Sequence, residues 1–222
     1  MIDLKQAGIL KNIPIFSCLD DDELYELTNV AIKKAFPKNT ILISEGDKTD
    51  SLYVVYSGKV KAIINDEHGK EVILSIFGPG EYFGELAFID GEHRSASIIT
   101  REPTEVLIIS RDSLRDSLSS NPNLAFNLLV GVVKRLREAT KQIEGLALMD
   151  VYGRVARLLA NFAKPQGEKQ IIEEKLTHQE IANMTGSSRE MVSRIFRDLL
   201  TGGYISVENK LITINKPLPY SW

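Results

Sequence analysis

The chain has 222 residues, of which 43% are hydrophobic, and 27 lysines and arginines stand against 30 aspartates and glutamates for a formal charge of −3. That size suits one or two domains with ordinary cores, and no apolar run approaches the ~20 residues that span a bilayer. The start, Met1-Ile2-Asp3-Leu4-Lys5, lacks a secretion signal, and Cys18 is the one cysteine, so the expectation is a cytoplasmic protein with no membrane partner, no intrachain disulfide and no cysteine-ligated metal or cluster.

In chain order, Asp20 with Glu23 three residues on reads as a capping box opening a helix. From about Ile13 to Arg111 the pattern is short β-type runs: Thr40 to Ile43, Ser51 to Tyr56, Lys59 to Ile64, Glu71 to Ile76 and Thr104 to Ile109. Glycines 46, 58, 69, 78, 80, 84 and 91 punctuate the stretch, and many short strands with turn signals predict a sandwich, barrel or roll. Within it, Gly78 to Glu85 is turn-rich, and its backbone N–H groups can line a pocket. Arg94, flanked by Ser95 between apolar residues, suits a phosphate. The same Arg94 can instead pair with Glu85 inside the roll, since a buried arginine needs a partner. Glu85 cannot favour a phosphate but can accept from a sugar hydroxyl.

Asn121 and Pro122 suit the cap and first turn of a helix, and Phe126, Leu129, Val133, Leu136, Thr140, Ile143 and Ala147 then follow at alternating steps of three and four. That is a heptad seam over about three heptads. It reads as a dimer helix, or as an amphipathic helix packed on its own domain. Thr140 is polar at a seam position, where its hydroxyl can bond its own backbone, a ligand or a partner chain.

From Asp150 onward, ten lysines and arginines outnumber eight aspartates and glutamates, which permits localised phosphate binding. Val151, Val155, Leu158 and Leu159 line a helix that Pro165-Gln166-Gly167 breaks. Thr177 with Glu180 forms a second capping box, Gly186 supplies a tight turn, and Ser188 or Ser187 caps a second helix. That helix carries Arg189, Glu190, Ser193, Arg194 and Arg197 on one side and Met191, Val192, Ile195, Phe196 and Leu199 on the other. Two strands, Tyr204 to Val207 and Lys210 to Ile214, joined at Glu208-Asn209, complete a winged helix-turn-helix. Arg189 and Arg194 can each bond guanine O6 and N7, and Glu190 can accept from cytosine N4. Thr177, Gln179 and Ser188 sit at helix starts, where phosphate binds. The alternative is a solvated helix face with ion pairs. No Walker loop, metal-ligand cluster or nucleophile–base signature suggests an enzyme.

With Gly84-Glu85-Leu86-Ala87, Arg94-Ser95-Ala96, the stretch from Leu146 to Ala156, Thr177 to Ala182 and Ser188-Arg189-Glu190, the chain resembles the cyclic AMP receptor protein / FNR family of bacterial regulators from about Ile13 to Asn215. The resemblance implies an α+β protein in three parts. Residues 1–120 would form a β-roll of the cyclic-nucleotide-binding jelly-roll type, 121–148 a dimerisation helix, and 149–222 a winged helix-turn-helix hinged near Met149-Asp150. It implies a homodimer on palindromic double-stranded DNA with TGTGA-like half-sites, read by Arg189, Glu190 and Arg194 and held through phosphates by Thr177, Gln179 and Ser188. RNA polymerase is an implied partner. No tightly bound cofactor is implied; the effector would be cyclic AMP, held by Gly84, Glu85, Leu86, Arg94, Ser95 and Thr140. Glu85 would take the ribose hydroxyl, Arg94 and Ser95 the cyclic phosphate, and Thr140 would reach across the dimer. The chain departs from the pattern at His178, which replaces a phosphate-binding arginine, and at Ala139, which replaces an adenine-contacting threonine. It departs again from Lys164 to Thr177, which is shorter than the family's polymerase-contacting loop. Ala139 leaves open a different effector, or constitutive DNA binding with a purely structural roll. A solitary Cys18 argues against an FNR-type cluster, and His68 and His93 read as surface-loop residues rather than haem ligands.

Overall fold

The computed structural model describes residues 10, 11, 13–167, 169–208 and 211–219. The segment Met1 to Lys5, and Asn209 and Lys210 of the expected wing, lie outside them. Two compact units divide the chain, Met1–Arg135 and Leu136–Trp222.

The first unit is an antiparallel roll with helices. Strands β1 (Ile32–Phe36), β8 (Thr104–Ile109), β3 (Leu52–Ser57) and β6 (Tyr82–Phe83) form one sheet in that order. A second sheet runs β2 (Ile41–Ile43), β7 (Ser97–Thr100), β4 (Val60–Asn65), β5 (Glu71–Phe77). Alternation along each strand sorts side chains between two faces. Val55 and Val106 join Ile43, Val60, Ala62, Phe83 and Ile98 in a core between the sheets. Their neighbours Val54 and Leu107, with Leu52 and Ile109, point the other way, into a second core. There they meet helices α1 (Asp21–Val30), α3 (Arg111–Ser120) and α4 (Pro122–Leu148) through Leu24, Leu27, Leu114, Leu124 and Leu128. Coverage on both faces is why β3 and β8 read as near-continuous apolar runs. Asp20 caps α1, its carboxylate accepting from the Glu23 N–H at 2.8 Å while Glu23 accepts from the Asp20 N–H at 2.9 Å.

The five expected strands are present, with ends shifted by at most a residue, but β1, β6, β7, helix α2 (Glu85–Asp90) and helix α3 were not expected. Strand β1, Ile-Lys-Lys-Ala-Phe, is almost wholly exposed along the sheet edge. Its apolar pattern is therefore faint, and its two lysines guard an open edge. Strands β6 and β7 are two and four residues long, too short for periodicity to show.

Helix α4 runs for 27 residues with two distinct rows. Leu124 and Leu128 are buried on the roll, whereas Phe126 is 65% and Ile143 66% exposed. The other seam residues, Leu129, Val133, Leu136, Thr140 and Ala147, are exposed too. Packing on its own roll therefore uses a different face from the heptad seam. Among the described residues no helix is long and apolar enough to cross a membrane.

The second unit packs helices α5 (Val151–Phe162), α6 (His178–Thr185) and α7 (Arg189–Thr201) around Val155, Leu159, Ile181, Val192, Ile195, Phe196 and Leu199. An antiparallel sheet in the order β11 (Ile205–Glu208), β12 (Leu211–Ile214), β10 (Lys169–Ile172), β9 (Lys164–Gln166) closes it. The expected break after α5 is real, but it is a hairpin rather than a loop. Pro165 lies in the outer strand β9, opposite Gln170, where a missing N–H is tolerated.

Gly58 meets the closest backbone obstacle of any glycine among the described residues. Its φ is +80°, and a Cβ there would lie 2.4 Å from the Pro103 carbonyl oxygen and 2.8 Å from the Thr104 Cα. Both obstacles are backbone, and the left-handed conformation alone costs an L-residue about 1–2 kcal/mol. Gly58→Ala is predicted to destabilise the protein by about 2 kcal/mol or more, read as a lower denaturation midpoint at unchanged slope. Gly46→Ala, with positive φ but open space around it, should lose less.

Candidate effector site and nucleic-acid interface

The roll brings Gly84, Glu85 and Arg94 together. Gly84 ends β6 with φ +85° and opens α2 (Glu85–Asp90). A Cβ on it would lie 2.5 Å from Arg94 Nη1 and 3.0 Å from the Ser51 carbonyl oxygen, so only glycine fits. Arg94 is 4% exposed. Its Nε donates to Thr49 Oγ1 at 2.9 Å, Nη1 to the Gly84 carbonyl at 2.8 Å and Nη2 to the Ser51 carbonyl at 2.8 Å. Those bonds use three of its five N–H groups and cancel none of its charge. Burial lowers its pKa, with Tyr53, Asp50, Glu85 and Asp47 opposing. A guanidinium held in place by neutral acceptors is preorganised for an anion. Ser95 beside it is exposed, and Leu86 is exposed on α2.

Two readings need correction. Arg94 does not pair with Glu85. The Glu85 carboxylate, 3% exposed, forms a salt bridge with Arg135 Nη1 on α4. Nor do the amides from Gly78 to Glu81 line a pocket. The Gly78 N–H donates to the Glu81 carboxylate at 2.8 Å, that of Gly80 to the Val55 carbonyl at 2.9 Å and that of Glu81 to the Gly78 carbonyl at 3.1 Å. The turn spends these donors on itself.

Arg135 is the site residue the sequence reading missed. It also donates to the Tyr82 carbonyl, and its guanidinium lies over the rings of Tyr82 and Phe77, at 4.6 and 5.2 Å from their centroids. Its signal was a second stripe on the long helix. Leu124, Leu128, Gly131 and Arg135 follow steps of four, three and four, parallel to the seam and facing the roll. Gly131 belongs to it because a Cβ there would meet the Tyr82 hydroxyl at 1.9 Å. Thr140 lies on the part of α4 belonging to the second unit. It is exposed, and its hydroxyl donates to the Leu136 carbonyl at 2.9 Å, the self-bonded option of the three. His68 and His93 are exposed, and no group of three metal-ligating side chains occurs among the described residues.

In the second unit the helix-turn-helix forms as expected. Thr177 and Glu180 make both bonds of a capping box, and Gly186 takes φ +63° at the turn. Ser188 Oγ caps α7 by accepting from the Met191 N–H at 3.2 Å. Arg189, Glu190 and Arg194 are exposed together on α7, and among the described residues neither arginine forms a salt bridge. Arg194 Nη2 rests on Met191 Sδ at 3.1 Å. Glu190's carboxyl is held below the usual range, first by its own backbone N–H and then by the Ser188 hydroxyl. It therefore stays an acceptor. Gln179 donates to Asn183 at 2.8 Å. Arg154 ties the unit together, donating to the Thr185 carbonyl at 2.8 Å and the Met149 carbonyl at 2.9 Å.

A roll with a buried arginine that no carboxylate neutralises, joined through a long helix to a winged helix-turn-helix with exposed arginines, is the architecture of a DNA-binding transcription regulator. Comparison with known proteins agrees. Residues 33–121 match the cyclic nucleotide-binding domain family and residues 153–217 the Crp-like helix-turn-helix domain family. The cAMP-activated global transcriptional regulator CRP of Pasteurella multocida is 36% identical over 187 residues, covering 81% of this chain and 88% of that protein. The CRP-like cAMP-activated global transcriptional regulator of Mycobacterium tuberculosis is 32% identical over 211 residues, covering 93% and 94%. Among solved structures, the c-di-GMP responsive global regulator CLP of Xanthomonas campestris superposes with a TM-score of 0.76 at 27% identity, covering 89% of this chain and all of that one. The chain belongs to the Crp/Fnr family of transcription regulators.

His178, the first residue of α6, packs its ring on Phe196 with centroids 4.6 Å apart. Burial, and then the Arg189 guanidinium, push its pKa below the ordinary value of 6.5. The unfolded chain thus binds this proton more readily than the native state. Stability from this group is complete above about pH 6.5 and falls as pH drops toward the lower native value. Thermal melts of wild type and His178→Asn between pH 5 and 8 should diverge in acid, with the wild type losing more.

Proposed function

We propose that the chain acts as a homodimer that binds palindromic DNA with TGTGA-like half-sites when a cyclic nucleotide occupies the roll, with cyclic AMP as the effector. The observation that carries the reading is Arg94, buried and held by Thr49, Gly84 and Ser51 with no carboxylate bonded to it. In this reading the cyclic phosphate supplies the missing negative charge, with Ser95 beside it and Leu86 at the rim. Glu85 and Arg135 take the sugar side, and Thr140 reaches the nucleotide from the partner chain. Arg189, Glu190 and Arg194 read bases, while Thr177, Gln179 and Ser188 hold phosphates. Ligand binds the DNA-competent state better and so shifts the population toward it. Action is cytoplasmic, through RNA polymerase at the promoter. The relatives from Pasteurella multocida and Mycobacterium tuberculosis are cAMP-activated, which supports the choice of nucleotide.

A second effector reading has one observation in its favour. Ala139 offers no side-chain hydrogen bond to a base, and CLP, of the same fold, is c-di-GMP responsive.

Fluorescence anisotropy of a duplex carrying two inverted TGTGA half-sites tests the proposal at fixed salt, since phosphate contacts make affinity steeply salt-dependent. Cyclic AMP should tighten wild-type binding well above a scrambled duplex. Arg94→Glu should abolish the response, and Arg189→Ala should cost about 1–3 kcal/mol and relax half-site preference. Specific binding indifferent to cyclic AMP would retire it as effector. Binding unchanged in Arg94→Glu would make the roll purely structural.

The exposed seam carries the dimer. Sedimentation should read two chains, and Leu136→Asp, a charge at an otherwise apolar seam position, should shift the protein toward one. A wild-type monomer at working concentration would refute this.

A further inference from the structure

The two helices of the DNA-binding motif are joined by a polar bond that the reading above leaves unused. His178 Nδ1 lies 2.9 Å from Ser193 Oγ, midway along the recognition helix α7. The imidazole is half-buried, its ring against Phe196, whose side chain belongs to the core of the unit. Ser193 follows Arg189 by one turn and immediately precedes Arg194.

Along the bodies of α6 and α7 the shared core is apolar, with Ile181, Ala182, Val192, Ile195 and Phe196 in one cluster; the other polar tie, Thr185 Oγ1 to Ser187 Oγ at 2.9 Å, lies at the turn, before α7 begins. Apolar burial is non-directional. It sets the distance between helices more firmly than the roll of either about its axis. A roll of about 10° displaces a group about 6 Å from the axis by about 1 Å, enough to spoil a bidentate bond to a base edge. A hydrogen bond between a ring on one helix and a hydroxyl on the other is directional, and resists that roll.

We propose that His178 is a positioning residue for sequence specificity: through Ser193 it fixes the rotation of the recognition helix, and so the aim of Arg189, Glu190 and Arg194, without itself holding DNA. The inference rests on the DNA-binding reading of α6 and α7. Its competitor is an imidazole that contacts a phosphate directly. The two separate cleanly, because a phosphate contact strengthens every sequence alike, whereas aim affects the preferred sequence alone.

The test uses the full-length protein with saturating cyclic AMP and a duplex that the wild type selects from a random pool, set against a scrambled duplex. The readout is the ratio of the two dissociation constants. His178→Phe keeps a ring on Phe196 and removes the bond; Ser193→Ala removes the other partner. Each should lower the ratio about tenfold while leaving scrambled-duplex affinity within about twofold, and the double variant should be no worse than either single. His178→Asn, whose amide falls near the position of Nδ1, should recover most of the ratio. Equal weakening on both duplexes would overturn the proposal in favour of a phosphate contact, and additive losses or an unchanged ratio in well-folded variants would overturn it outright. If His178→Phe melts early, Ser193→Ala decides alone, since it deletes one oxygen. A pool from which the wild type selects no consensus would instead overturn the DNA-binding reading, and this inference with it.

Discussion

A carboxylate almost wholly withdrawn from water requires a cation, and Glu85 finds one on a different element. Its partner Arg135 comes from the long helix, so a single ion pair ties the turn that holds Arg94 to the helix bearing the seam. Breaking one side of such a pair would leave an uncompensated charge, a loss of about 3–5 kcal/mol when buried. The aromatic rings of Tyr82 and Phe77 beside the guanidinium narrow water's access to it. Gly84 and Gly131 serve the same junction, one letting Arg94 lie against the chain and the other letting the Tyr82 hydroxyl reach the helix. Whatever alters the surroundings of Glu85 is therefore felt by α4, and a displacement of α4 is felt by Glu85.

That arrangement gives the two rows of the helix separate tasks. Leu124 and Leu128 fasten it to the roll, and the heptad row is left for a partner. At the other end, Arg157 donates to the Lys141 carbonyl at 2.6 Å, and a Cβ at Gly145 would collide with its Nη2 at 1.9 Å. Arg154 holds the Met149 carbonyl as well as the end of α6. Within the second unit, Arg157 thus grips the last turns of α4 and Arg154 the residue just beyond them, so a change in those turns has a mechanical path to the DNA-binding helices.

Much of this was legible in the residues, and the reasons are local. Capping boxes at Asp20 and Thr177 announce themselves because both partners are three residues apart. The seam is visible because its period is regular, and β3 and β8 because both faces are apolar. Strand β1 was hidden because an edge strand with lysines carries little apolar pattern, and the β9–β10 hairpin because Pro165 reads as a breaker wherever it stands. The site was half legible. Gly84, Glu85 and Arg94 stand in short distinctive runs, but Arg135 meets Glu85 across 50 residues of chain, a pairing no spacing rule reports. The same blindness left the Arg94–Glu85 pair open as an alternative: a buried arginine needs partners, but Thr49 and two backbone carbonyls supply them for Arg94, and a distant arginine takes Glu85.

The uncovered row of α4 also sets a thermodynamic term of its own. Phe126, Leu136 and Ile143 each keep about two-thirds of their surface in water in a single chain. Whatever covers them only when the chain is folded adds to stability by mass action. If a second copy does so, the melting temperature is no fixed property of the sequence but rises with the amount of protein present. Scarcity then weakens the fold and empties the DNA site together, which links the abundance of such a regulator to its own survival.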